Sequence, residues 1–273
     1  MIRLSGFADE IAADPAVQIE VLQSEGIRFI ELRGAWGKNV LDFSPAERRD
    51  LKRRLHDAGI GVSAIGSPIG KVPIDESWPD HVARFKIALD AAKFFEAPYI
   101  RVFSYFRPKV GDIADYHEEV IRRLSEQVAL ARGRPVRLLN ENEGDVYAST
   151  TERCLDLLES VPDMDMIFAP ANFIQAGVRP AEAWPRLADR VAYFHIKDAI
   201  FGTGQVVPAG EGDGALADIL RDAIQRRGYE GYLSLEPHLA AAGQFSGFSG
   251  PDLFRQAVRA LKRILDEIGA SYS

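Results

Sequence analysis

A (β/α)8 barrel is the fold class that this 273-residue sequence predicts, and three observations predict it. Eight short runs rich in Val, Ile, Leu, Phe and Tyr are spread along the chain, and amphipathic stretches with helix punctuation separate them. No Gly/Ser-rich or Pro-rich linker and no low-complexity tract breaks the repeat, so residues 1–273 read as one domain. A doubly wound sheet would have fewer strands or a glycine-rich dinucleotide turn after the first strand, and that turn is absent here.

The strand candidates, in order, are RLSGFAD (3–9), FIELRG (29–34), GVSAIGS (61–67) and YIRVFS (99–104), followed by VRLLNEN (136–142), MDMIFAP (164–170), VAYFHIKD (191–198) and GYLSLEP (231–237). Helix starts fall between them. Asp14-Pro15 reads as an N-cap with Pro at N1, and SPAE from Ser44 to Glu47 adds Glu at N3, which makes a capping box. Helix stops are marked by Gly26, Gly59, Gly133 and Gly228, each just before a new strand, where a left-handed residue is wanted.

Composition narrows the function classes. Apolar residues make up 47% and charged residues 27%, the balance of a globular domain with a sizeable core. A net charge of -7 argues against a nucleic-acid partner, because phosphate binding needs clustered Lys and Arg. The acidic start MIRLSGFADE lacks the basic end and apolar run of a signal peptide, and no apolar segment of about 18 residues is present. A cytoplasmic protein with no membrane partner is expected. The lone Cys154 excludes an intrachain disulfide and a cysteine-rich metal site, so any metal must be held by Glu, Asp, His or Asn.

Barrel active sites lie at the C-terminal ends of the strands, so the polar residues there take the functional reading first. They are Glu31 and Arg33, Ser67 and Lys71, Arg101 and Ser104, Asn140 to Glu143, Asn172, His195 to Asp198 except Ile196, and Glu236 with His238. Alternation puts Glu141 with Glu143, His195 with Lys197, and Glu236 with His238 on shared strand faces. If those faces point inward, Glu141, His195 and Glu236 converge at the barrel mouth. Two carboxylates and an imidazole suit Mn2+, Mg2+, Co2+ or Zn2+, and the same carboxylates suit acid and base roles on either side of a sugar. Glu31-Leu32-Arg33 also reads as a local ion pair. His56, His81 and His117 read as surface or core residues. The glycine-rich stretch 202–214 offers backbone N–H groups to a phosphate or is simply a long loop, and aromatics at 103–108, Trp36 and 243–250 are candidate stacking surfaces for a sugar.

These residues resemble the sugar isomerase/epimerase superfamily with the xylose-isomerase-like TIM barrel, which also includes endonuclease IV, hydroxypyruvate isomerase, tagatose 3-epimerase and inosose dehydratase. The likeness spans the chain through GFADEI (6–11), IELR (30–33), AIGSPIGK (64–71), RVFS (101–104), NENE (140–143), PANF (170–173), HIKDA (195–199), VVPAGEGDG (206–214) and LSLEPHL (233–239). It is greatest for the branch described as sugar phosphate isomerases/epimerases. The resemblance implies a divalent metal on Glu141, His195 and Glu236, with a fourth ligand position at Ala169, where relatives commonly carry Asp. Asn140 stands where a His is common in this branch. It further implies that Glu141 and Glu236 exchange protons with a sugar through an enediolate; among the strand-end residues, Glu31, Lys71, Arg101, Asn172, Lys197 and His238 are the candidates for binding a sugar or polyol substrate. A lyase or dehydratase on a keto-sugar or inosose-like substrate follows from the same enediolate logic and stays open, and Ala169 supports a further alternative, a barrel that binds carbohydrate without turnover. A phosphodiesterase like endonuclease IV is disfavoured by the charge and by the lack of further histidines. Assembly into a homo-oligomer is left open.

Overall fold

The computed structural model describes residues 1–240 and 249–273. Its strands are β1 (Arg3–Gly6), β2 (Phe29–Leu32), β3 (Gly61–Ile65), β4 (Tyr99–Val102), β5 (Arg137–Glu141), β6 (Asp165–Phe168), β7 (Val191–Ile196) and β8 (Tyr232–Leu235). They form one parallel sheet in the order β1-β8-β7-β6-β5-β4-β3-β2, so that β1 and β2 meet at the seam and nearly close a barrel. Helices α1 (Pro15–Ser24), α2 (Pro45–Asp57), α3 (Trp78–Phe95), α4 (His117–Ala131) and α5 (Thr151–Ser160) fill the first crossovers. The short α6 (Pro170–Gln175), α7 (Pro180–Leu187), α8 (Leu216–Arg221) and α9 (Gly250–Glu267) follow. Among the described residues no helix is long and apolar enough to cross a membrane.

The local signals act as their chemistry requires. Asp14 accepts from the Ala16 N–H at 2.9 Å, and Ser44 and Glu47 close the reciprocal box, with Glu47 Oε2 accepting from the Ser44 N–H at 2.7 Å. Gly26, Gly59, Gly133 and Gly228 all have φ between +69° and +79°, which a side chain would strain. Each predicted strand run contains a strand, but each strand ends one to three residues early. The overhangs turn out of the ladder and carry polar side chains to the mouth. Two short antiparallel pairs, Gly34–Ala35 with Lys38–Asn39 and Asp198–Ala199 with Val206–Val207, extend from those overhangs.

Period-two alternation sorts the barrel interior into layers. On β7 the inward residues are Tyr193, His195 and then Lys197, and β2, β4 and β5 present Phe29/Glu31, Tyr99/Arg101 and Leu139/Glu141 in the same sense. The lowest layer is an aromatic plug: ring centroids lie 5.1 Å apart for Phe29 and Tyr232, 5.6 Å for Tyr193 and Tyr232, and 6.0 Å for Tyr99 and Tyr193. Above it the Ser63 hydroxyl bonds Ser5 at 2.6 Å and Tyr193 at 2.8 Å. The charged layer rests on this floor. Outside the barrel, Leu51, Phe85, Leu124, Leu157, Leu187, Phe254 and Leu261 bury the apolar helix faces against the sheet.

The capping box makes a simple test of these local rules. Ser44→Ala is expected to lower unfolding free energy by about 1 kcal/mol, read as a shift of the urea midpoint at unchanged slope.

Candidate active site

Five strands deliver charge to one point. His195 sits at the centre, fully buried, with Nδ1 2.9 Å from Glu141 Oε1 and Nε2 3.0 Å from Glu31 Oε2, so its ring spans the lumen from β5 to β2. Arg101 from β4 donates through Nη1 to Glu141 Oε2 at 3.1 Å, and the same nitrogen lies 3.7 Å from Glu236 Oε1. Lys197 Nζ donates to Glu236 Oε2 at 3.1 Å, and Arg33 Nη1 stands 3.6 Å from Glu236 Oε1. The Arg101 guanidinium is aimed by bonds to the Gly66 and Ser67 carbonyls at 3.3 and 3.4 Å, and lies over the rings of Phe7 and Phe103.

Burial alone would neutralise these groups, and pairing prevents it. Desolvation pushes the Glu141 carboxyl up, but His195 and Arg101 outweigh it and hold its pKa at about 2. The same desolvation acts on Glu236, where Lys197, His238, His195 and Arg101 prevail and keep it well below the usual carboxylate range. Burial disfavours the charged His195 ring, yet Glu141 and Glu31 raise its pKa to about 10. Burial works against the Lys197 ammonium as well, and Glu236 raises it. The metal-free layer is therefore an ionised network with an imidazolium at its centre.

Most sequence-derived candidates meet here: Glu31, Arg101, Glu141, His195, Lys197 and Glu236 are in mutual contact. Asn172 joins them from α6, not from the end of the sixth strand, and its Nδ2 donates to Glu141 Oε1 at 3.0 Å and to the Asn142 carbonyl at 2.9 Å. His238 has the left-handed φ of +45° and places Nε2 3.1 Å from Glu10 and 3.6 Å from Glu236. Lys71 stands apart from the central cluster, paired with Glu143 at 2.9 Å nearer the solvent. The local Glu31–Arg33 pair does not form: Arg33 donates to Asp9 at 2.7 Å, while Glu31 is turned to His195. Asp9, Glu10 and Phe7 were missed as site residues, although the Asp-Glu pair after the first strand is the signal that could have drawn attention to them.

Other expectations resolve locally. The 202–214 loop keeps its N–H groups for the protein itself: the Asp198 carboxylate accepts from Gly210 at 2.9 Å, Gly212 at 3.2 Å and Gly214 at 2.8 Å, so those donors are not free for a phosphate. A Cβ on Gly212 or Gly214 would come within 2.5 or 2.6 Å of that carboxylate, which is why glycine is needed there. Burial raises the Asp198 pKa, opposed by these backbone bonds. Tyr105 is a core residue bonded to Gln127, and Trp36 packs edge-on against Phe43, so neither is an open sugar platform. Most of the 243–250 stretch, residues 243–248, lies outside the described residues. His81 is buried in α3, His56 is exposed, and His117 bonds Tyr147 at 2.8 Å.

The donor set fits a divalent ion through three protein ligands. One ligand atom each from Glu141, His195 and Glu236 lies within 4.8 Å of the others, and all three residues are buried. Ala169, one step beyond the Phe168–Phe194 register pair, is locked by Asn142 at both its N–H and its carbonyl and offers only a methyl group. A fourth protein ligand is not supplied there.

A (β/α)8 barrel with carboxylates and an imidazole gathered at the C-terminal mouth defines the class of protein. The chain belongs to the xylose isomerase-like TIM barrel family, whose model matches residues 19–264. No curated protein matches it by sequence. Solved structures similar to it include a D-tagatose 3-epimerase-like protein, with a TM-score of 0.79, 15% identity and 98% of each chain covered. The D-psicose 3-epimerase of Clostridium cellulolyticum H10, solved with D-tagatose, has a TM-score of 0.75 and 14% identity over 98% of this chain and all (100%) of that one. A xylose isomerase-like TIM barrel protein from Mycobacterium smegmatis, in complex with magnesium, has a TM-score of 0.72 and 17% identity over 98% of this chain and 97% of that one. At these identities the likeness is one of fold.

The ion network sets a pH dependence. Glu141, depressed from 4.5 to about 2, contributes stability that is present above about pH 4.5 and lost as pH falls toward 2. His195, raised from 6.5 to about 10, contributes stability that is complete below about pH 6.5 and lost as pH rises through 10. Calorimetry of chelator-treated protein is expected to show the highest Tm between these limits and a decline from pH 7 to 10. A Tm that stays flat across that basic range would contradict the bridge.

Proposed function

We propose that this barrel is an isomerase or epimerase of a keto-sugar or sugar phosphate, which abstracts a proton next to a carbonyl. The observation that carries this reading is the placement of two buried carboxylates, Glu141 and Glu236, at 3.1 and 3.7 Å from one Arg101 nitrogen, Nη1. One carboxylate takes the proton from carbon while the electron pair moves to the carbonyl oxygen, and the other side returns a proton. Glu236 has Lys197 as its proton store at 3.1 Å. Arg101 and Lys197 supply positive charge beside the developing enediolate, and the aromatic floor below excludes water. Family membership and the epimerase-type neighbours support an enzyme of this class.

A polyhydroxylated ligand is favoured by what the site leaves unpaired. Asp9 Oδ1, Arg33 Nη2 and Asn172 Oδ1 are buried without hydrogen-bond partners, a mixture of acceptors and a donor that sugar hydroxyls satisfy. Glu31, Arg101, Lys197 and His238 surround the reacting end in this reading, and Lys71 acts nearer the entrance. A cytoplasmic location and a small sugar or polyol partner belong to the same reading.

Glu141, His195 and Glu236 would hold Mn2+, Mg2+, Co2+ or Zn2+, which when bound polarises a carbonyl oxygen. Because His195 is protonated in the metal-free layer, binding must release a proton, and affinity is expected to rise with pH between about 7 and 9. Ala169 favours a second reading, a barrel that binds carbohydrate without turnover. Two measurements separate the readings. Calorimetric titration with Mn2+ is expected to show weak, proton-releasing binding that Ala169→Asp strengthens. Incubation of a ketohexose panel in D2O is expected to show deuterium uptake at the carbon next to the carbonyl, lowered roughly 10²–10⁴-fold in Glu141→Gln and Glu236→Gln. Sugar binding without any such exchange would establish the non-catalytic barrel instead.

A further inference from the structure

A cavity opens at the same C-terminal end of the barrel as the charged layer. It has a volume of about 620 Å³ and is bordered by the loops after β4 and β5 and by the C-terminal end of α6. That volume lies within the range of small-molecule sites and equals roughly twenty water molecules, more than a chain of five or six carbons fills.

Two elements join it to the reacting groups. Glu143 lines it and follows Glu141, the last residue of β5, by two residues. Helix α6 touches Glu141 through Asn172 and lines the cavity through Gln175, three residues later. The buried, unpartnered Asn172 Oδ1 lies on this connecting helix.

The lining balances its charges. Arg107 and Arg153 share the lining with Asp112, Glu143 and Asp145, and Lys71, outside the lining, pairs with Glu143 at 2.9 Å. Arg153 approaches Asp112 only to 3.8 Å, and Arg107 makes no ion pair among the described residues. A ligand with net charge of either sign therefore meets repulsion from part of the wall, whereas a hydroxyl group donates to the carboxylates and accepts from the guanidinium groups.

We propose that this cavity is a second carbohydrate subsite, which takes a neutral sugar residue linked to the one held over Glu141 and Glu236. The substrate class is then a keto-sugar glycoside in place of a free monosaccharide. The proposal rests on the reaction reading only for the residue at the reacting end.

Calorimetric or saturation-transfer titrations would use D-fructose, its neutral disaccharides isomaltulose, turanose and lactulose, and fructose 6-phosphate. At least one disaccharide is expected to bind about tenfold more tightly than fructose. Arg107→Ala and Arg153→Ala are expected to erase that gain and leave fructose binding unchanged. Arg107 is exposed, so its variant reports even if Arg153→Ala fails to fold. The subsite is overturned if no disaccharide outbinds fructose, if the gain survives both substitutions, or if fructose 6-phosphate alone shows an arginine-dependent gain. Solvent deuterium exchange is measured separately: its absence with an intact disaccharide preference would count against the reaction and leave the subsite standing.

Discussion

The His195 ring, held between Glu31 and Glu141, is the interaction on which the rest of the site depends. Three buried polar groups at 2.9 and 3.0 Å are tolerable only as a set, because each would be left without a partner in the barrel interior if the others were removed. Their pairing fixes Glu141 in its ionised form and leaves its second oxygen to Arg101, and that guanidinium in turn approaches Glu236. The carboxylates that would handle protons are thus positioned by a chain of opposite charges running across the lumen from β2 to β8.

The barrel supplies the surroundings that give this chain its strength. Rings of Phe29, Tyr99, Tyr193 and Tyr232 seal the space beneath, and the Ser5–Ser63–Tyr193 hydroxyls satisfy one another between plug and charge. Phe7 presents its ring to both Arg33 and Arg101 and stands T-shaped to His195 with ring centroids 5.1 Å apart. Apolar walls around paired charges lower the local dielectric and strengthen the interactions between them. Asp198, by gathering three glycine N–H groups, fixes the loop that leaves β7 immediately after Lys197.

Much of this arrangement was legible in the sequence, for a definite reason. Side chains two apart on a strand share a face, so the interior positions of Glu31, Arg101, Glu141 and His195 follow once the strands are recognised. Glu236 was legible by the same rule although it lies just beyond its strand. The rule weakens where the ladder ends. Lys71 lies beyond the turn after β3, and its path to Glu143 depends on loop geometry that alternation does not encode. Glu10 and Phe7 were hidden for the same reason, in the short turn after β1. Asn172 depends on a six-residue helix packed at the mouth. The clasp of Asp198 on glycines 12 to 16 residues later is a long-range closure that a glycine-rich pattern also presents as a phosphate loop. Ala169 was visible only as a departure from a resemblance, and the structure adds that Asn142 holds its backbone on both sides.

The central claim is that metal-free His195 is an imidazolium held between Glu31 and the ionised Glu141. Nitrogen-15 NMR of the histidine side chains in chelator-treated protein tests it directly. The account predicts that both His195 nitrogens remain protonated through pH 8 and that Glu31→Gln lowers the titration midpoint. A neutral His195 ring titrating near the ordinary value of 6.5 would contradict it.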